Sequence, residues 1–144
     1  MRRAQENARE AAGGAVPWAR DCRVAASSAP TVAAAVAELA EGLGEVSDVA
    51  FLLVFASSRY DRAELVATLA ERFPGVPRAG CSTAGEIAPG GVTERSLVAV
   101  ALPKARFQVD CVVLEGLSHF DIETGARLVA DLRRRLSAGR GDDR

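Results

Sequence analysis

A chain of 144 residues is long enough for one α/β domain around a single core and too short for two of ordinary size. Apolar residues make up 49% and charged residues 26%, a globular mixture that excludes wholesale disorder. The 18 Lys and Arg against 19 Asp and Glu leave a formal charge of -1, so no basic field draws in a nucleic-acid backbone.

Residues 1–20 are rich in Ala, Arg, Glu and Gly with few large apolar side chains, and are expected to form a loose tail. A globular segment over 21–137 follows, and 138–144, again Gly, Arg and Asp, read as a second tail. Cys22 to Ala26 is a short apolar run. Val32, Val36, Leu39 and Leu43 then recur at helical spacing, closed by Gly42 and Gly44. Val49 to Ala56 is continuously apolar, as a strand buried on both faces should be. Asp61 and Glu64 start a helix carrying Leu65, Val66, Leu69 and Phe73, which Pro74 and Gly75 stop. Val76 to Cys81, Leu97 to Leu102 and Phe107 to Leu114 read as further strands, and Asp121 to Leu136 as a last helix with Ile122, Val129, Leu132 and Leu136 on one side.

This order predicts an α/β fold, a mixed and largely parallel sheet with covering helices, its first three strands parallel neighbours through right-handed crossovers. No apolar run is long enough to span a bilayer and no charged start leads into an apolar signal core, so a cytoplasmic protein is expected. Cys22, Cys81 and Cys111 are widely spaced, without a CxxC pair or an adjacent histidine, and read as reduced thiols outside any zinc site.

In open α/β sheets ligands bind beyond the carboxyl ends of the strands. Here those ends carry Ser27-Ser28, Ser57-Ser58-Arg59-Tyr60 and Cys81-Ser82-Thr83, all dense in hydroxyls. Helix capping by Ser28, Thr31 and Asp61 accounts for part of this chemistry, and a polar site for the coincidence at three turns.

The most specific stretch is Ala79-Gly-Cys-Ser-Thr-Ala-Gly-Glu-Ile87, followed by Pro89-Gly90-Gly91. It resembles the signature of the FIST N-terminal domain. The run from Asp48 to Ser58 is similar to that family's second strand and following turn, and Ser28 to Thr31 with its Ala-rich helix to its opening. The resemblance covers roughly Arg23 to Leu102. It implies a sensory input module of signal transduction that binds small ligands, amino acids being the usual suggestion, while some members resemble haem-based gas sensors. The family module continues into a longer N-terminal domain and a separate C-terminal domain. This chain is therefore expected to be a partial module, working with a separately encoded C-terminal half or a signalling output protein.

The expected ligand-binding set is Ser57, Ser58, Arg59, Gly80, Cys81, Ser82, Thr83, Gly85 and Glu86. Gly80 and Gly85 would let the backbone turn tightly and offer N–H groups to an anion, or simply make a strand-to-strand turn. Arg59 favours a carboxylate and Glu86 an ammonium, which suits a zwitterion. Three other readings compete. Cys81 with His119 as base would make a nucleophile, but no third residue orients the pair, and Ser82 lacks the glycines of a GxSxG elbow. His119 is the only imidazole available to a haem, although a histidine before a helix needs no such role. The chain could also serve interaction alone. Neither an enzyme nor a bound cofactor is expected, and Arg133-Arg134-Arg135 reads as a solvated helix end.

Overall fold

The computed structural model describes residues 21–116, 118 and 121–139. The expected tail over 1–20, His119 and residues 140–144 lie outside the described residues. The chain divides into two units, one ending at Arg106 and the other beginning at Phe107.

The first unit runs β1 (Arg23–Ser27), α1 (Val32–Leu43), β2 (Val49–Ser57), α2 (Arg62–Arg72), β3 (Arg78–Thr83), β4 (Glu86–Ala88), β5 (Gly91–Thr93) and β6 (Leu97–Pro103). Its main sheet has the order β1-β6-β2-β3, and β4 and β5 form a separate hairpin. The expected mixed α/β sheet with covering helices is present. Its first three strands share one direction, because β1 and β2 are each antiparallel to β6 while β3 is parallel to β2. They are not all neighbours, however, since β6 lies between β1 and β2. The crossover through α1 thus spans two strand positions, and the buried run Leu97 to Ala101 fills the space between them.

Register decides which side chains form the core. Leu52, Val54 and Ala56 pair with Ala101, Ala99 and Leu97, so six apolar residues share one face. Val36, Leu39 and Leu43 of α1 and Leu65 and Leu69 of α2 close over that face, with Phe73 just beyond α2. Burying each Leu, Val or Phe stabilises the fold by roughly 1.5–3 kcal/mol before entropy is counted. The β2 run is interior on both sides, which is why it carries no polar residue before Ser57.

Helix ends follow the local chemistry. Thr31 Oγ1 accepts the Ala34 N–H (3.3 Å) and Asp61 Oδ1 the Glu64 N–H (2.8 Å), as N-caps do. Ser28 caps no helix among the described residues, Thr31 holding that place, and its carbonyl accepts from Arg59. Gly44 ends α1 with φ of 66°, a left-handed conformation that glycine takes without strain. Val66, expected among the core positions of α2, is 60% exposed.

In the second unit, residues 107–114 form no strand. Asp110 breaks the alternation there, its Oδ1 accepting the Cys111 N–H (2.8 Å) and its Oδ2 pairing with Arg135 (2.9 Å). The expected last helix is present as α3 (Ile122–Ala138), with Asp121 Oδ1 accepting the Thr124 N–H at 2.7 Å. None of its residues is fully buried. Among the described residues no helix is long and apolar enough to cross a membrane.

Candidate functional site

The strand β3 begins two residues later than its sequence pattern predicts, so Gly80 to Thr83 belong to the strand and not to a turn. Its pairing with β2 sets Gly80 beside Val54 and Ser82 beside Ala56. A Cβ on Gly80 would collide with the Val54 carbonyl oxygen, so the glycine serves close strand approach. Neither Gly80 nor Gly85 takes a positive φ, and the expected tight glycine turn is not formed by them.

Residues of β3, of the neighbouring β2 and of α2 line a groove of about 610 Å³. Val54 and Ala56 form the floor, and Leu65, Val66 and Leu69 the helix wall. Ala79, Gly80, Cys81 and Ser82 form the strand wall. Ser57, Ser58 and Tyr60 close the end beyond the carboxyl terminus of β2, and two cations, Arg62 and Arg78, complete the lining. Five of the nine expected binding residues therefore meet in one groove: Ser57, Ser58, Gly80, Cys81 and Ser82. Arg59, Thr83, Gly85 and Glu86 do not line it.

The four absent residues have other positions. Arg59 turns toward the β1–α1 turn, where its Nη2 donates to the Ala29 carbonyl, to the Ser28 carbonyl (3.2 Å) and to the Tyr60 hydroxyl (3.1 Å). Tyr60 donates in turn to the Ala29 carbonyl (2.7 Å), and the Arg59 guanidinium lies 4.7 Å from the Tyr60 ring centre. The pair clasps two loops together. Nearby Ser27 is also committed, donating to Glu38 Oε2 (2.6 Å) and accepting the Ala29 N–H (3.1 Å).

Glu86 is 1% exposed. Its Oε1 accepts from Thr83 Oγ1 (2.6 Å), and its Oε2 from the Ser96 N–H (3.1 Å) and the Ser96 hydroxyl (2.7 Å). Burial pushes its pKa up, but the hydrogen bonds from Ser96 and Thr83 outweigh it and hold the carboxyl below its ordinary value. The acid joins the end of β3 to the start of β6. Gly85 sits at the entry to the hairpin, where a Cβ would stand 3.6 Å from the Thr93 carbonyl oxygen.

Sequence reasoning did not reach Arg62, Arg78 or Ser96. Arg78 is oriented by two carbonyls at the end of α2, its Nε donating to Val76 (3.1 Å) and its Nη2 to Phe73 (2.7 Å). Burial lowers its pKa from the ordinary arginine value, and it remains a cation at neutral pH. A parallel β-α-β unit brings the first residue of its helix near the strand ends, and that was the signal for Arg62. Cys81 is exposed on the strand wall, and no group of three or more His, Cys, Asp and Glu able to hold a metal occurs among the described residues.

The family model of the FIST N domain matches residues 50–142. The chain belongs to this family. FIST N domains are sensory domains of signal transduction, and the matched stretch contains the whole groove lining, the Glu86 cluster and α3. The match starts inside β2, after β1 and α1, and runs well past Leu102, where the resemblance of the motifs ends. No curated protein and no solved structure matches this FIST N domain.

Proposed function

We propose that this FIST N domain is a sensory input domain without catalytic activity that binds a small metabolite, an amino acid or a similar compound, in the groove between β3 and α2. The observation that carries the reading is the meeting of Ser57, Ser58, Gly80, Cys81 and Ser82 in a single groove with an apolar floor. Concave sites of this size with a few convergent polar groups are the usual form of small-molecule sites. Glycine at position 80 keeps β3 close to β2, and the hydroxyls at the far end supply orientation. Occupancy would be passed to a separate output protein in the cytoplasm.

The test is a thermal-shift panel of amino acids and related small metabolites on the wild-type chain and on Ser82→Leu. This substitution fills the groove from an exposed position. At least one compound should raise the wild-type melting temperature and lose that effect in the variant. A panel with no shift, or equal shifts in both proteins, would remove the reading.

A further inference from the structure

We infer that the groove selects an aliphatic carboxylic acid over the zwitterion that shares its carbon skeleton, the anionic head lying at the end formed by Ser58, Ser82 and Arg62. The inference rests on the ligand-sensing reading above and narrows it. Among the described residues, both ionised side chains in the groove lining are guanidinium groups, Arg62 and Arg78, and no carboxylate lines it. The acid that the sequence motif offers to an ammonium, Glu86, is enclosed and accepts three hydrogen bonds from Thr83 and Ser96.

An ammonium in the groove would therefore meet two like charges, the floor residue Val54 and the wall residues Leu65 and Leu69, none of which can solvate it. A carboxylate meets the opposite conditions. The hydroxyls of Ser58 and Ser82 have no protein partner among the described residues and can donate to it. Arg62 is exposed, so its guanidinium is accessible at the same end, where α2 begins next to the turn containing Ser58. Arg78 is fixed by the Val76 and Phe73 carbonyls and adds a positive field from the amino end of β3. The apolar wall then takes the aliphatic body.

Three probes separate the charges while sharing that body: isocaproate, leucine and isoamylamine. They are titrated calorimetrically into the full chain at neutral pH, with wild type, Arg62→Ala and Arg62→Gln compared. Isocaproate should bind about fivefold tighter than leucine, as expected for an exposed ion pair without an opposing repulsion, and isoamylamine should show no binding. Both Arg62 variants should weaken isocaproate by a similar factor of about five while melting like the wild type, and added salt should reduce the wild-type advantage. Leucine binding as tightly as isocaproate, binding of isoamylamine, or unchanged affinity in the Arg62 variants would overturn the inference and leave the sensory reading standing. Failure of all three probes, together with a flat metabolite panel, would overturn both.

Discussion

Glu86 illustrates how an acid in a recognisable motif can be consumed by the fold that displays it. Its three acceptor contacts tie Thr83 to Ser96 across the hairpin, and a buried carboxylate with this many donors is costly to disturb. Glu86→Gln replaces one acceptor oxygen by an amide that faces a donor, and should lower unfolding free energy by about 1–3 kcal/mol in urea titrations at neutral pH. Because the carboxyl pKa is depressed from 4.5 in the folded protein, its contribution is fully present above that value and is lost as pH falls through the folded-state value. The gap between wild type and Glu86→Gln should therefore narrow below pH 4.5, and a gap that widened there would contradict the assigned hydrogen bonds. Arg59 is comparable on the cationic side. Arg59→Ala removes donors to Ser28, Ala29 and Tyr60 and should cost stability by about 1–3 kcal/mol, measured in the same way, while leaving ligand affinity per folded molecule unchanged.

Among the elements, β3 is the one whose details matter most to the groove. Gly80→Ala would force its Cβ against the Val54 carbonyl, part the β2–β3 pair and widen the groove. Overpacking of this kind costs about 1–3 kcal/mol, and both melting temperature and ligand response should fall together. The long apolar strand β2, the two helices of the first unit and the stops at Gly44 and Gly75 were legible in the sequence, because period and punctuation are local signals. The place of β6 between β1 and β2 was not, since pairing partners depend on register across distant segments. The weak alternation over 107–114 predicts a strand, yet Asp110 engages its own neighbour and Arg135 instead. The groove was half legible. Its hydroxyl residues follow from the rule on strand ends, whereas the inward commitment of Arg59 and Glu86 follows from contacts that no spacing reveals.

For the whole molecule, β1 and β3 stand at the two edges of the main sheet, and Arg78 to Thr83 is exposed along most of its length. The β4–β5 hairpin adds a cross-strand pair of exposed apolar residues, Ile87 at 81% and Val92 at 78%. Open edges and apolar patches favour association, so sedimentation velocity should show a concentration-dependent increase in mass that Ile87→Lys reduces. A concentration-independent monomer would count against this expectation. The clasp between Arg59 and Tyr60 has an optical consequence as well. Tyr60 is the only tyrosine in the chain, its hydroxyl is hydrogen-bonded to Ala29, and the residue, 7% exposed, lines the groove. Its phenol is thus a native chromophore stationed at the groove. Compounds transparent in the near ultraviolet should perturb its absorption as they enter, so that a difference spectrum of the unlabelled protein counts filled grooves directly, and Tyr60→Phe should silence that signal.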